Sequence, residues 1–392
     1  MATFDRQIWA AVPFHFWTVV LFIFGSMVGS LLNVCIHRMP RGESIVSPPS
    51  HCPHCHYTIP WYLNIPLVTW LFLRGKCKNC SAPISVRYFL VELLTGVLFL
   101  CAWIRFGQVS ALLALSVCLL LAGFVVATFI DLEHFIIPDE VTIGGIVAGF
   151  LLSALVPQLQ NVENRAAALR ESFYGIAVGG GLIYLILRGG KLLFGKKRLV
   201  LEPDSRVIFN ETSIKFPDQE IRFEELFYRK SDAVLLHAKT VELEDRCYFK
   251  TFVKLTPDEL IIGEEKIDPS TVPRMEVVTD QMVVPQEAMG FGDVKFMAAI
   301  GAFMGWPAVI FAIFGSSIVG AAVSLIGIAL KRQEFTGRIP YGPYIALAAS
   351  FWLFMPAAWQ DAWRANLLFL IAVFSGRAGL DTYPAQSVPS LR

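Results

Sequence analysis

Long runs of apolar residues alternate with short polar stretches over most of the chain. Most of the runs approach the length that a helix needs to cross roughly 30 Å of hydrocarbon at about 1.5 Å per residue. We assign spans to residues 16–36, 89–104, 111–130, 141–156, 174–187, 295–305, 308–330, 345–355 and 367–374. Because several of these runs are short, the pattern predicts a polytopic helical membrane protein with about eight spans. Glycines four residues apart, at 145 and 149 and at 175 and 179, predict close helix packing.

One stretch of the chain, residues 195–287, has a different pattern. Short β-type runs separated by turn residues replace the long apolar runs. The predicted strands are 207–209, 213–216, 233–238, 247–255, 260–262 and 275–278. Residues 209–216 and 255–262 resemble each other, which indicates two similar hairpins. The pattern therefore predicts an inserted soluble β-rich domain.

The distribution of charge separates the same two regions. The 93 residues of 195–287 include 14 Lys and Arg and 19 Asp and Glu, whereas the 392 residues of the chain include 33 and 32. The remainder is only about a tenth charged, which is typical of a membrane protein. Because the net charge is +1, there is no bulk electrostatic case for a nucleic-acid partner.

Lys and Arg residues concentrate in alternate loops between the predicted spans. They are frequent in 37–88, directly after 174–187 and at 331–338, and sparse in the loops at 105–110 and 157–173. The excess of positive charge in cytoplasmic loops places the first group and the insert in the cytoplasm, and the N-terminus outside. No cleavable signal peptide is expected before Phe16. The predicted organisation is a first span at 1–36, a cytoplasmic loop domain at 37–88, spans at 89–194, the insert at 195–287 and a C-terminal membrane region at 288–392.

Four of the eight cysteines form two Cys-x-x-Cys pairs. Cys52 and Cys55 are separated by 21 residues from Cys77 and Cys80. Two such pairs about twenty residues apart match the spacing of a structural zinc site with four thiolate ligands, whose role is to fold a small loop domain. Two disulfides or redox-active pairs are the alternatives, and the predicted cytoplasmic location disfavours both.

Other residues near the pairs are less favoured as ligands. His54 and His56 are alternatives to a thiolate, but histidines beside such pairs are more often solvated. Cys35, Cys101 and Cys118 lie in apolar spans and are interpreted as packing residues.

Two aspartates lie at predicted span ends. Asp131 follows the 111–130 span and Asp293 precedes the 295–305 span, so both face the cytoplasm in the predicted topology although 162 residues separate them. A carboxylate pair that shares one proton can activate water and assist at an amide carbonyl, which is aspartic proteolysis. The alternative is that both are ordinary interfacial carboxylates, with Gly290 and Gly292 forming a turn.

Two neighbouring carboxylates are candidates for other roles. Asp139 follows Pro138, and we predict that it N-caps the next span. Glu133 is a less favoured alternative to Asp131 as the catalytic residue.

Several motifs together resemble those of one family of membrane enzymes. They are GSLLNVCIHRMP (29–40), CPHC (52–55), NIP (64–66), LRGKC (73–77), ISVRY (84–88), ELLTG (92–96), Asp131 with PD (138–139), GFGDVK (290–295) and PYGP (340–343). The chain resembles the type IV prepilin peptidases, bacterial membrane aspartic endopeptidases of the GxGD class that also N-methylate their product. The resemblance covers nearly everything except the insert, which the family usually lacks, and this chain has Phe89 where the family usually has proline.

The resemblance implies an activity and its cofactors. It implies that Asp131 and Asp293 are the catalytic pair and that prepilins and pseudopilins are cleaved after a glycine at the cytoplasmic face of the bacterial inner membrane. The new N-terminal residue is then methylated from S-adenosylmethionine, and the complete cysteine loop favours this second activity. Arg87 and Glu92 are candidates for the methyl-donor site, with a packing role equally open.

Two other functions stay open from the residues alone. One is a peptidase without methylation. The other is a non-catalytic membrane scaffold or transporter in which the aspartates line an ion path. The insert contains no catalytic constellation, so we expect either a tolerated insertion or a docking site for pilus- or secretion-assembly proteins.

Overall fold

The computed structural model describes residues 14–216, 220–227, 232–243, 245–285, 290–330 and 340–375. The chain forms two compact units, one of residues Met1–Ile183 with Phe291–Arg392 and the other of Tyr184–Gly290. The basic segment at 331–338, which contributes to the predicted orientation, lies outside the described residues.

The first unit is helical. Its helices, in chain order, are α1 (Phe14–Arg38), α2 (Val68–Phe72), α3 (Val86–Phe106), α4 (Ala111–His134), α5 (Asp139–Leu155), α6 (Arg165–Phe194, which continues into the second unit), α8 (Phe291–Ala329), α9 (Gly342–Phe354) and α10 (Ala357–Phe374). Serine caps begin two of them: Ser85 Oγ accepts from the Arg87 N–H at the start of α3, and Ser110 Oγ accepts from Leu113 N–H at the start of α4.

Five helices in the described part of the chain are long and apolar enough to cross a membrane. They contain Phe14–Arg41, Val86–Phe106, Ala111–His134, Arg165–Leu192 and Phe291–Ala329. Helix α5 has 17 residues, and Gly342–Phe354 is a shorter apolar helix. The structure therefore confirms a mostly helical chain with several candidate spans, but it does not confirm the count of about eight.

The predicted spans 295–305 and 308–330 form one helix with a kink. Gly305 has φ 74° inside α8, and Pro307 follows it. Since the kink removes the helical partner of the Ala302 carbonyl, that oxygen accepts from other helices. Its donors are Ser153 Oγ at 3.1 Å, Gln160 Nε2 at 2.7 Å and Ser172 Oγ at 2.8 Å.

Glycines bring α5 and α6 close to α8. A Cβ on Gly175 would lie 2.0 Å from the Gly301 carbonyl oxygen, and one on Gly149 would lie 2.6 Å from Phe303 Cδ2. Only a residue without a side chain permits this approach, as expected from the spacing of small residues in membrane helices. The close packing fixes the position of the α8 segment that begins with Asp293.

The second unit is an antiparallel β-sheet, as predicted. Its strands are β1 (Lys196–Asn210), β2 (Ser213–Lys215), β3 (Glu220–Arg222), β4 (Val234–Glu242), β5 (Cys247–Leu255), β6 (Leu260–Ile262), β7 (Glu265–Ile267) and β8 (Arg274–Pro285), with the short helix α7 (Phe223–Leu226) after β3. The strand order among the described residues is β3-β2-β1-β8-β4-β5-β6-β7. Inward-facing apolar residues form one continuous core.

The sheet contains the same hairpin arrangement twice. Phe209 pairs with Ile214 in the first half, and Leu255 pairs with Leu260 in the second. The next pairings, of β2 with β3 and of β6 with β7, are related by the same shift of 46 residues. The two similar hairpins indicated by the sequence are therefore equivalent parts of a repeated unit.

Candidate functional site: a four-cysteine cluster and a pair of buried aspartates

The two Cys-x-x-Cys segments have the same backbone structure. The Cys52 N–H donates to the Tyr57 carbonyl, and the Cys52 carbonyl accepts from the His56 N–H. Cys77 makes the equivalent bonds with Ala82 and Ser81. A left-handed residue closes each turn, at His56 with φ 54° and at Ser81 with φ 60°. Both turns direct backbone N–H groups toward the sulfur atoms, as metal-binding knuckles require.

The four sulfur atoms lie together. Cys52 Sγ is 3.8 Å from Cys80 Sγ, Cys55 Sγ is 4.0 Å from Cys77 Sγ, and all four lie within 4.8 Å of one another. These separations are too long for disulfides and match the edge of a tetrahedron around an ion with bonds of about 2.3 Å. Among the described residues, this is the one group of metal-ligating side chains so arranged, and neither His54 nor His56 belongs to it.

Hydrogen bonds favour the thiolate form at two of the cysteines. The Asn79 side chain, followed by the Tyr57 backbone, lowers the pKa of the Cys55 thiol to about 6. Backbone N–H groups of Cys80 and Asn79 lower the pKa of Cys77. At Cys80, the Ala82 backbone bond is outweighed by burial and by hydrogen bonds with the other three sulfur atoms, which raise the pKa. Since metals bind thiolates, the surroundings of Cys55 and Cys77 suit an ion such as zinc.

Polar side chains of α1 and α3 fix these two helices to each other and to the cysteine loop. The Glu92 carboxylate accepts from Leu67 N–H at 2.8 Å, and Asn33 Nδ2 donates to the Tyr88 carbonyl at 3.0 Å. Buried Arg38 donates to the carbonyls of Ser44 and Pro48. Glu92 therefore has a structural partner, which favours the packing role that the sequence left open.

Asp131 is buried at the end of α4 that the sequence predicts to face the cytoplasm. Its side chain is 5% exposed, and the helix ends three residues later, before the left-handed residue Phe135. Oδ2 accepts from the backbone N–H of Gly342 at 2.8 Å. The carboxylate is therefore enclosed between α4 and the first residue of α9, 211 positions away.

Asp293 lies in the first turn of α8 and is also buried, at 7% exposure. The preceding Gly292 packs against Ile137, where a Cβ would be 3.3 Å from Ile137 Cβ. The same Ile137 packs against Gly342, the residue that donates to Asp131. Ile137 thus contacts the residue before Asp293 and the residue bound to Asp131, so the surroundings of the two aspartates converge on one side chain.

Contacts further along the two helices support this convergence. Phe124 of α4 and Phe296 of α8 pack edge to face, with ring centroids 5.7 Å apart. Each ring lies within two turns of the aspartate on its own helix. The parts of α4 and α8 near the two aspartates therefore contact each other through these rings.

The other carboxylates near this place have different roles. Asp139 does not N-cap α5 as predicted: Pro138 occupies the N-cap position, and Asp139 is the first helical residue, in an ion pair with Lys295. The physical reason is that the fixed φ of Pro138 suits the residue before the first turn, while a carboxylate inside that turn still benefits from the helix dipole. Glu133 pairs with Arg87 and is half exposed.

Sequence reasoning missed the contribution of Gly342 and Ile137. In the sequence, the PYGP motif at 340–343 has meaning only as part of the family resemblance. An apolar residue and a glycine give no chemical signal by themselves, so only the three-dimensional contact identifies them.

The second unit has a cavity of about 600 Å³ between its two equivalent hairpins. Phe209 and Leu255 line it from equivalent positions, as do Asn210 and Thr256. The cavity therefore lies where the two repeated halves meet.

Two family models match the chain, mostly outside the insert. The Bacterial Peptidase A24 N-terminal domain matches residues 23–106, and the Type IV leader peptidase family matches residues 118–199 and 272–325. The first match contains the four cysteines, and the second contains Asp131 and Asp293. The second match is interrupted between 199 and 272, inside the sheet unit.

Relatives named for the processing of prepilins also match the chain. A prepilin leader peptidase/N-methyltransferase of Myxococcus xanthus is 43% identical over 43% of this chain and 49% of its own length. One of Aeromonas hydrophila is 27% identical over 90% of this chain and 93% of its own length. A type 4 prepilin-like proteins leader peptide-processing enzyme of Escherichia coli is 38% identical over 44% of this chain and 66% of its own.

No solved structure matches the chain. The two family models together cover more than half of the 392 residues, and they include every residue of the cysteine cluster and of the aspartate pair. The chain belongs to the type IV leader peptidase family.

Proposed function

We propose that the protein is a membrane aspartic endopeptidase that removes the leader of type IV prepilins and pseudopilins after a glycine. The observations that support this proposal are the burial of both Asp131 and Asp293 and the contacts of Ile137 with Gly292, before Asp293, and with Gly342, which binds Asp131. The names of the relatives, which are prepilin leader peptidases and N-methyltransferases, support the same activity.

The two carboxylates would divide the work of amide hydrolysis. Since two buried carboxylates at close range cannot both ionise cheaply, the pair holds one proton. The ionised member takes a proton from water as the water oxygen bonds to the amide carbon. The neutral member donates to the carbonyl oxygen, and the C–N bond then breaks as the amine leaves with a proton.

The position of the pair at helix ends suits a substrate anchored in the membrane. We infer a multi-pass protein of the bacterial inner membrane with about eight spans, with the pair at the cytoplasmic face. A prepilin would keep its hydrophobic segment in the bilayer and extend its leader along Gly290–Gly292. Bare backbone at these glycines leaves room for an extended chain.

The second activity would methylate the new N-terminus from S-adenosylmethionine, which supplies an activated methyl group. Arg87 Nε and Asn33 Oδ1 are buried, and among the described residues neither atom has a hydrogen-bond partner. A buried donor at the start of α3 and a buried acceptor on α1, whose side chain binds Tyr88 next to Arg87, fit a ligand with both an amino and a carboxylate group. Arg87 is therefore a stronger candidate for this site than Glu92.

The cysteine cluster would hold one structural zinc ion. Cys52, Cys55, Cys77 and Cys80 supply four thiolates and leave no open position, so the ion would fold the loop and take no part in hydrolysis.

The insert is compatible with a tolerated insertion. Its first and last strands pair, with Lys196 opposite Pro285, so the chain enters and leaves the sheet at neighbouring positions. A docking role for pilus- or secretion-assembly proteins is the second candidate, and the cavity between the hairpins is the observation that favours it.

Mass spectrometry of a co-expressed prepilin tests both activities. Loss of the leader with an added methyl group on the new N-terminus is the expected result. Cleavage without the methyl group would reduce the proposal to a peptidase, and maturation by Asp131→Asn and Asp293→Asn variants would favour a scaffold or transporter.

A further inference from the structure

Gly342 connects a third part of the chain to the aspartate pair. Its backbone N–H donates to Asp131 Oδ2 at 2.8 Å, and the bond is buried. Gly342 is the first residue of α9, where backbone N–H groups have no partner within the helix. The Asp131 carboxylate therefore satisfies one of these donors.

A side chain at position 342 has no room. An added Cβ would lie 2.9 Å from Asp131 Oδ2, 3.3 Å from Asp131 Cγ and 3.2 Å from Ile137 Cδ1. The first of these distances is shorter than Cβ contacts in proteins permit, so the carboxylate would have to move. Close backbone approach, rather than backbone conformation, explains the glycine.

The turn that carries Gly342 is itself fixed to α8. The Tyr341 hydroxyl lies 2.7 Å from Ser316 Oγ and 3.2 Å from Ser317 Oγ. Ser316 is fully buried, and it lies on the helix that begins with the Asp293 segment. Gly342 is thus held by one helix of the pair while it binds the aspartate of the other.

We propose that Gly342 is a positioning residue for the peptidase reaction, which assigns a role to each oxygen of Asp131. Because an N–H donor binds the unprotonated oxygen of a carboxyl group more strongly than the protonated one, this bond favours Oδ2 as the oxygen that carries no proton. Oδ1 is then the oxygen that exchanges a proton with Asp293 or water. This inference rests on the proposed peptidase activity for its kinetic consequence, but the hydrogen bond has a test of its own.

The kinetic test compares alanine at Gly342 and at Gly144, where a Cβ would meet nothing within 4 Å. Purified Gly342→Ala enzyme should cleave a prepilin with kcat reduced about 10- to 100-fold and KM within about twofold of wild type, since misplacing a reacting group by about 1 Å costs this much. Gly144→Ala should retain the wild-type rate. A wild-type kcat for Gly342→Ala would overturn the proposal.

A second variant separates the contact with Asp131 from the contact with Ile137. Ile137→Val removes the Cδ1 atom that a Cβ at 342 would approach. If Gly342→Ala with Ile137→Val regains the full rate, crowding against Ile137 explains the loss and the positioning role is wrong. A rate that stays low supports displacement of Asp131.

The hydrogen bond is tested without any activity, so its failure is distinct from failure of the proposed function. Asp131→Asn keeps an acceptor for Gly342 N–H, whereas Asp131→Ala does not. Hydrogen exchange read at the single Gly342 amide should be at least about tenfold faster in Asp131→Ala than in Asp131→Asn. Equal exchange in the two variants would show that Asp131 does not hold this amide, and the assignment of Oδ2 would be wrong.

Discussion

The cysteine cluster and the aspartate pair are built in opposite ways. The cluster comes from two copies of one short turn, and all of its ligands lie within residues 52–80. The aspartate pair needs three helix ends from distant parts of the chain, at 131, 293 and 342. A centre made of local turns is determined by residues that lie close together in the sequence. The aspartate pair depends instead on the packing of the whole helical unit.

The largest effect is expected at the long-range centre. Asp131→Asn should lower the rate of prepilin cleavage at least about 100-fold, because an amide cannot exchange the proton that general acid–base catalysis requires. Asp139→Asn is the matched control: Asp139 is exposed and paired with Lys295, and its variant should cleave within about threefold of wild type. Peptide cleavage by purified enzymes measures both. Slow prepilin cleavage by the Asp139 variant would mean that the reaction needs a third carboxylate besides the two buried aspartates.

The four-cysteine cluster should lose its metal when two of its four ligands are removed. Wild-type protein is expected to contain about one zinc ion per chain, and a Cys52→Ser/Cys55→Ser variant none, because two remaining thiolates make only half of a tetrahedral site. Cys247→Ser, at the exposed lone cysteine of the insert, should keep the full content. Elemental analysis gives the answer, and metal retained by the double variant would contradict the four-thiolate site.

The repeated halves of the insert offer an intermediate test of local construction. Val207 and Val253 occupy equivalent positions and are both fully buried. Alanine at either should lower the free energy of unfolding of the sheet unit by about 1–3 kcal/mol, whereas Val200→Ala, on an 84% exposed side chain, should change it little. Denaturant unfolding monitored in the insert distinguishes these cases. Strongly unequal losses at 207 and 253 would break the equivalence of the halves.

The smallest effect is expected at a surface turn. The Ser270 hydroxyl and backbone N–H donate to Asp268 and lower its pKa. A lowered folded-state pKa means that the stabilisation is present above the ordinary pKa of aspartate and is lost as the pH falls through the folded-state value. Asp268→Ala should therefore melt slightly below wild type at pH 7, and the difference should shrink in acid. A difference that is constant with pH would rule out the charged form as its source.

The same contrast explains which features the sequence predicts. The cysteine spacing, the hairpins of the insert and the apolar runs are local patterns, and the structure contains each of them. The kink at Gly305 was not predicted, because the pattern of apolar residues does not depend on it. The hydrogen bonds that the Ala302 carbonyl accepts come from Ser153, Gln160 and Ser172, which are distant in the sequence. Gly342 was not predicted either, because its role depends on an oxygen 211 residues away.

The predicted span count is not confirmed, for a related reason. Length and hydropathy identify a helix, but short helices such as α5 and α9 pack against α8, and seven of the 13 residues of α9 are buried in protein. Their apolar residues therefore serve helix contacts as well as lipid, so the pattern alone does not distinguish a membrane span from a buried helix.

A double-variant cycle of prepilin cleavage tests the central claim, that Asp131 and Asp293 act as one catalytic unit. Rates are measured for Asp131→Asn, Asp293→Asn and the two together, each with purified enzyme and the same substrate. Residues that act as a unit are not additive, so the double variant should be no slower than the slower single variant. Losses that multiply in the double variant, or a wild-type rate in either single variant, would contradict the account.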